Sequence, residues 1–256
     1  MENSEAVPFS LLGGGPPLDE AGLRKLYGYP AALNHCLVRG NAIASIDGGA
    51  TTDGTSGGLG GPGDRRLFAL LRELADVVLV GIGTARIEGY SGARMNVAQR
   101  QNRQARGQSE VPPIALVTRT GLIDRHLPVL ADTEVPPLLL TSAASADAAR
   151  TRLRAAAEVI DCSGADADAV DLGVVLDTLS RRGLHRVLAE GGPSLLGSLI
   201  QADLLDELCL TSAPVLAGGS AVRVATGTGA VLTRMRRAHV LTDDDGYLYL
   251  RYVRSS

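Results

Sequence analysis

The chain has 256 residues, 45% of them hydrophobic, and a formal net charge of −3 at pH 7. This length allows a sizeable buried core, and the slightly acidic balance excludes the basic footprint of a nucleic-acid-binding protein. No apolar run reaches the ~18 residues of a membrane-spanning helix, and the start MENSEAVPFSLLGGGPP lacks the pattern of a secretion signal. The sequence therefore predicts a protein that binds neither nucleic acid nor membrane.

The cysteines and histidines are scattered along the chain. Three cysteines without a C-x-x-C pair predict no disulfide framework and a reducing, cytoplasmic location. Four histidines without ligand spacing predict no bound metal. Lys25 is the only lysine among 25 basic residues, so arginines or backbone amides must meet any anionic ligand.

Strand and helix patterns alternate after an N-terminal extension, which we place at residues 1–32 with a short helix at 18–27. Residues 33–256 are predicted to form one domain. Its strands are expected at 36–46, 77–80, 114–117, 138–141, 158–160, 186–189 and 207–213. Its helices are expected at 64–75, 147–157, 168–182 and 193–201, and residues 91–111 are expected to form a polar loop.

The chain closes with two further strand patterns, at 238–241 and 247–253. Asp244-Asp245-Gly246 joins them, and its Asp-Gly pair predicts a β-hairpin. Strands that alternate with helices predict a mostly parallel sheet covered on both faces. The expected fold is therefore three-layer α/β, with a mixed sheet and an antiparallel hairpin at its C-terminal end.

Two glycine-rich turns are candidates for ligand contacts. Glu190-Gly191-Gly192-Pro193 lies where a predicted strand turns into a helix, and the free amides of such a turn can bind phosphate. An ordinary tight turn is the alternative. Gly81-Ile82-Gly83-Thr84 begins like a dinucleotide fingerprint, but Arg86 stands where the third glycine is expected. It remains a candidate backbone platform at the carboxyl end of a strand.

Four other positions have both a structural and a functional interpretation. Asp47 precedes a glycine and suits a turn, and Glu88 suits a solvated surface. Arg72 falls off the leucine stripe of its helix, as a surface arginine does. Thr118-Arg119 follows a strand, where an arginine can pair with a 2′-phosphate on an adenosine ribose.

Taken in order, several segments resemble one family. NAIASIDG, the TSGG around Ser56, LLRELADVVLVGIGTARIEGY, LAEGGPSLLGSLI and LLDELCLTSAP are similar to the bacterial riboflavin-biosynthesis reductase domain. The resemblance runs from about Asn34 to Tyr252. It implies a dihydrofolate-reductase-like fold, commonly a homodimer, and reduction of 5-amino-6-(5-phosphoribosylamino)uracil with NADPH. Residues 33–256 would be the reductase domain.

The resemblance also implies site residues. Expected cofactor contacts are Ile43, Gly81, Gly83, Thr84, Thr118, Arg119, Gly191, Gly192, Pro193, Ser194 and Leu195. Expected substrate contacts are Ser56, Arg72, Arg94 and Glu190, with Arg72 and Arg94 suited to the substrate phosphate. Glu88 and Asp47 are the candidates for proton transfer.

Three departures from the family pattern leave other functions open. Asn41 stands where bifunctional members carry lysine, and Glu88 replaces the usual aspartate. The zinc-deaminase motifs H-x-E and P-C-x-x-C are absent, so we expect no deaminase activity. A pterin or dihydrofolate reductase on the same fold is the nearest alternative, and a noncatalytic NADPH-binding homologue is the other.

Overall fold

The computed structural model describes residues 7–255. The strands are β1 (Ser10–Leu11), β2 (Leu37–Ser45), β3 (Val77–Gly81), β4 (Ile114–Val117), β5 (Leu138–Thr141), β6 (Glu158–Asp161), β7 (Arg186–Ala189), β8 (Glu207–Ala213), β9 (Met235–Thr242) and β10 (Leu248–Arg254). The α-helices are α1 (Glu20–Tyr27), α2 (Pro62–Leu74), α3 (Ile82–Ile87), α4 (Val97–Ala105), α5 (Pro128–Ala131), α6 (Ala143–Leu153), α7 (Leu172–Arg181) and α8 (Pro193–Gln201).

All these strands join one mixed sheet in the order β1-β9-β10-β8-β2-β7-β3-β4-β5-β6. The run from β8 to β6 is parallel, whereas β10 pairs antiparallel with both β8 and β9. The predicted fold class, a mostly parallel mixed sheet with a C-terminal hairpin, is confirmed. The predicted bounds of strands β4, β5, β7 and β8 and of helix α8 are also confirmed.

Side chains from helices cover both faces of the sheet at β3, and this explains why the strand is wholly apolar. Val78 and Val80 join one core cluster with side chains from α1, α2 and α6. Val77 and Leu79 join a second cluster with side chains from α7 and α8. Successive side chains of a strand point to opposite faces, so a strand buried on both sides needs apolar residues throughout.

The prediction of a polar loop at 91–111 was wrong, because the segment contains helix α4. Asn96 caps this helix and forms a capping box with Gln99. The inward face of α4 carries Arg103 in place of an apolar stripe, and this side chain is fully buried. Its guanidinium donates hydrogen bonds to the carbonyls of Glu73 and Ala75 at the C-terminal end of α2. A periodicity search for apolar residues misses a helix held in this way.

Part of the N-terminal segment packs on the same core as the rest of the chain. Phe9 and Tyr27 are fully buried, and the Phe9 ring meets Tyr249 edge to face at 4.9 Å. Strand β1 extends the sheet beside β9. The helix predicted at 18–27 is confirmed as α1, while a domain boundary at residue 32 stays a prediction.

Within residues 7–255, none of the helices has the length and hydropathy of a transmembrane span. The same residues hold no group of histidine, cysteine and acidic side chains arranged for a metal ion.

Candidate active site

A cavity of about 590 Å³ lies against the carboxyl half of β2 and the carboxyl ends of β3 and β7. This edge is where open α/β sheets bind ligands, and the volume is that of a typical small-molecule site. The predicted site residues that line it are Ile43, Ser56, Arg72, Thr84, Glu88, Glu190, Gly191, Gly192 and Pro193. Asn41, Asp64, Phe68 and Tyr90 line it as well.

The turn after β7 packs directly on the turn after β3. The Gly81 amide donates to the Gly191 carbonyl at 2.8 Å. Gly191 has φ +88°, a conformation that favours glycine. A Cβ on Gly192 would lie 2.1 Å from Oγ1 of Thr84, so only glycine fits there without displacing that side chain. Helix α8 begins immediately after this turn, with Pro193 in its first turn.

Glu190 is the most enclosed charged group of the cavity wall, with a side chain 1% exposed. Its carboxylate accepts two hydrogen bonds of 2.7 Å from Nε and Nη2 of Arg72. It accepts a third from the Tyr90 hydroxyl, also at 2.7 Å. The Arg72 guanidinium lies 4.3 Å from the Phe68 ring centre. The arginine that looked like a surface residue from its helix position is therefore a partly buried partner of Glu190.

The charges of this cluster support one another. Burial by itself lowers the pKa of Arg72, but the Glu190 carboxylate reverses this and raises it above its ordinary value. Burial raises the pKa of Tyr90, and the adjacent Glu190 raises it further. Arg72 stays a cation and Tyr90 stays a neutral donor at any physiological pH. Both Nη1 protons of Arg72 remain for a ligand, since its other contacts use Nε and Nη2.

Glu88 ends helix α3 and joins it to the glycine-rich segment before α2. One carboxylate oxygen, Oε1, accepts the backbone amide of Ser56 at 2.8 Å. Glu88 and Ser56 therefore lie together on the cavity wall. The second oxygen of Glu88 is not used by this contact.

Asp47 does not line the cavity, unlike Glu88. The hydroxyl of Ser45 and the amides of Ala217 and Gly218 donate to its carboxylate. These hydrogen bonds, that of Ser45 foremost, lower the pKa of Asp47 to about 2. A group that is ionised throughout the neutral range is a poor proton donor. The geometry thus favours the turn role over proton transfer.

Several other predicted contacts lie outside the cavity lining. Arg94 is exposed and pairs with Asp132, so the geometry does not support a phosphate contact by Arg94. Leu195 is buried in the core, which leaves only its backbone amide for a ligand, whereas Ser194 is exposed at the start of α8. Thr118 and Arg119 lie at the carboxyl end of β4, beside β3, with the Arg119 side chain exposed. Gly81 and Gly83 belong to the start of α3.

Sequence reasoning missed several side chains of the cavity wall, among them Asp64, Phe68 and Tyr90. Asp64 and Phe68 precede Arg72 by eight and four residues on α2 and share its face. This spacing was the available signal, hidden by the leucine stripe on the adjacent face of the helix. Tyr90 follows Gly89, whose φ of +64° turns the chain back toward Glu190. Nothing in the sequence marks that contact.

The fold and the cavity define an α/β protein with a cavity of small-molecule size at the carboxyl edge of its sheet. The chain belongs to the RibD C-terminal domain family, whose model matches residues 37–249.

Named relatives support this assignment. The chain is 28% identical over 211 residues to the 2,5-diamino-6-ribosylamino-4(3H)-pyrimidinone 5′-phosphate reductase of Methanothermobacter thermautotrophicus, covering 80% of this chain and 93% of that one. It is 29% identical over 156 residues to the reductase of the same name from Archaeoglobus fulgidus, covering 61% and 69%. The structure of a pyrimidine reductase-like protein from Corynebacterium diphtheriae aligns with a TM-score of 0.79 and 26% identity, covering 91% of this chain and 98% of that one. The predicted family is confirmed.

Proposed function

We propose that this chain reduces a phosphorylated ribosylaminopyrimidine to its ribitylamino product with NADPH, as a step of riboflavin biosynthesis. One observation carries the proposal: a single cavity is shared by the Gly191-Gly192 turn, suited to a cofactor, and by the paired carboxylate Glu190, suited to a substrate. Relatives of similar length are named as reductases of such a pyrimidine.

The residues fit a nicotinamide cofactor. The Gly191-Gly192 turn leads into α8, so the free amides at the start of that helix suit a diphosphate. The turn packs so closely on Thr84 that a Cβ at Gly192 would displace the Thr84 side chain, and both residues line the cavity. When bound, NADPH supplies the hydride for C1′ of the opened ribosylamine. Ile43 and the Gly81–Thr84 segment would hold the nicotinamide side.

On the substrate side, the chain positions polar groups. Arg72 and Tyr90 fix the Glu190 carboxylate, and the Nη1 protons of Arg72 suit an anionic or carbonyl oxygen of the substrate. Glu88 is the remaining candidate for proton transfer, since its free oxygen belongs to the cavity wall. Ser56 would contact the substrate from the same side.

Two forms of the substrate differ at C2 of the pyrimidine. The sequence resemblance names the 2-oxo form, 5-amino-6-(5-phosphoribosylamino)uracil, whereas the archaeal relatives are named for the 2,5-diamino form. The proposed function covers both forms of the pyrimidine.

We also propose a cytoplasmic homodimer. Support for the dimer comes from exposed apolar side chains in the segment between β8 and β9, among them Leu216 and Leu232.

A dihydrofolate reductase is the rival, because a fold does not determine its substrate. The test is NADPH consumption by the purified chain with either phosphorylated pyrimidine or with dihydrofolate. We expect turnover of a phosphorylated pyrimidine and negligible turnover of dihydrofolate. Efficient reduction of dihydrofolate alone would overturn the riboflavin assignment, and no consumption with any of them would favour a noncatalytic NADPH-binding protein.

Arg119 is expected to make the chain prefer NADPH over NADH. Its exposed side chain follows β4, beside the strand that ends at the cavity, and can reach a 2′-phosphate. A charge-assisted hydrogen bond contributes about 1.5–3 kcal/mol, so Arg119→Ala should weaken NADPH binding roughly tenfold to a hundredfold and leave NADH binding unchanged. Titration calorimetry with both cofactors measures this, with the exposed Arg125→Ala as the control. Equal losses for both cofactors would remove Arg119 from the 2′-phosphate site.

A further inference from the structure

The cavity wall formed by α2 carries a charged group at each end. Asp64, Phe68 and Arg72 all line the cavity, because residues four apart lie on one face of a helix. At 1.5 Å per residue, Asp64 and Arg72 are about 12 Å apart along the helix axis. Arg72 binds Glu190 at one end of this cavity wall. Asp64 lies at the other end of the same wall.

Three carboxylates line this cavity, and Asp64 differs from the other two in that its one side-chain hydrogen bond comes from a neutral hydroxyl, that of Thr211. Glu190 is occupied by Arg72 and Tyr90, and Glu88 holds the amide of Ser56. Within residues 7–255, Asp64 takes part in none of the ion pairs. Burial raises its pKa, against the opposing effects of the Thr211 hydroxyl and the Arg65 guanidinium. A desolvated acceptor of this kind gains from a ligand that brings hydrogen-bond donors.

The two candidate pyrimidines present different edges to such an acceptor. In the 2-amino-4(3H)-pyrimidinone form, N3–H and the 2-amino group are adjacent donors, and together they match both oxygens of a carboxylate. In the 2-oxo form, N3–H lies between two carbonyl oxygens. A carboxylate then meets one donor and one acceptor, and the two oxygens repel each other.

We propose that Asp64 determines substrate specificity by pairing with the N3–H and 2-amino donors of the pyrimidine, so that the chain selects the 2-amino form over the 2-oxo form. The inference rests on the proposed function for the identity of the heterocycle. It goes beyond that function in choosing between its two substrates and in assigning the choice to one residue. The substrate thus keeps its amino group when it is reduced.

The test uses Asp64→Asn, which keeps the shape of the side chain and exchanges one acceptor for a donor. The amide can donate to a 2-oxo oxygen and accept N3–H, so its pattern matches the 2-oxo form. Affinity is measured by calorimetry with the 2-amino and 2-oxo ribitylamino phosphates, and kcat/KM with the two ribosylamino phosphates. Asp64→Ala is the second variant, and the exposed Asp245→Asn, which removes a nearby charge outside the cavity, is the matched control. Circular dichroism checks that each variant is folded.

We expect the native chain to bind the 2-amino form at least about tenfold more tightly than the 2-oxo form, as the loss of one charge-assisted hydrogen bond predicts. Asp64→Asn should reverse this preference, Asp64→Ala should reduce it toward unity, and Asp245→Asn should preserve it. A native chain without preference, or an Asp64→Asn variant that weakens both forms equally, would overturn the inference. Selective binding without turnover would instead contradict the proposed function and leave the role of Asp64 standing.

Discussion

Replacing Gly192 by valine is expected to lower the affinity for NADPH at least about a hundredfold while the chain remains cooperatively folded. A Cβ at this position would lie 2.1 Å from Oγ1 of Thr84 and 3.4 Å from its Cβ. Valine adds two further methyl groups at the turn where the cofactor diphosphate would meet the start of α8. Loss of several backbone hydrogen bonds to a phosphate, each worth about 1.5–3 kcal/mol, accounts for the size of the effect. Titration of NADPH measures the affinity, and thermal unfolding measures the fold.

Two controls distinguish the loss of the cofactor site from a general loss of stability. The double variant Thr84→Ala/Gly192→Ala removes the clashing oxygen, so it should unfold at a higher temperature than Gly192→Ala alone. Gly183→Ala introduces a side chain at a φ of +73° with nothing within 4 Å, just before β7 and away from the cavity. It should lose some stability and keep its affinity for NADPH. Unchanged affinity in Gly192→Val would return the turn to a purely structural role.

Arg72→Met is expected to destabilise the chain by about 3 kcal/mol, because it leaves the enclosed Glu190 carboxylate without its counter-ion. Methionine keeps an unbranched aliphatic side chain at this position and removes the guanidinium that lies over the Phe68 ring. The Tyr90 hydroxyl alone cannot replace two charge-assisted hydrogen bonds. Chemical denaturation with urea measures the free energy of unfolding.

The double variant Arg72→Met/Glu190→Gln tests whether the pair acts as a unit. Removal of both charges should cost less than the sum of the two single changes, since neither partner is then left charged and buried. Additive effects of the two single changes would mean that the bidentate pair contributes little. In both Arg72→Met and the double variant we expect poor binding of the phosphorylated pyrimidine, whereas the affinity for NADPH should stay near that of the native chain.

The fold was predictable to the extent that apolar periodicity dictates it. Strand β3 and helix α8 appear where uninterrupted or regularly spaced apolar residues require them. Helix α4 was missed because Arg103 takes the inward position, and its burial depends on carbonyls of α2 that lie far away in sequence. Strand β1 is two residues long, too short for any pattern to show.

Those parts of the site that depend on backbone conformation could be predicted from the sequence. The parts that depend on contacts between distant residues were harder to predict. The glycines at 191 and 192 are required by a positive φ and by a close approach, and such constraints are visible in the sequence. The partnership of Arg72 with Glu190 spans 118 residues and could not be read from local spacing. The turn role of Asp47 could be read from the Asp-Gly pair, but the amides of Ala217 and Gly218 that meet its carboxylate could not.

Hydride transfer from NADPH to C1′ of a phosphorylated ribosylaminopyrimidine can be followed with an isotope label. A single-turnover reaction uses NADPH that carries deuterium at both C4 positions, and mass spectrometry then examines the pyrimidine product. We expect one deuterium per molecule, located at C1′ of a ribityl chain. Oxidation of NADPH without deuterium in that product, or deuterium found only in tetrahydrofolate when dihydrofolate competes, would contradict this hydride transfer.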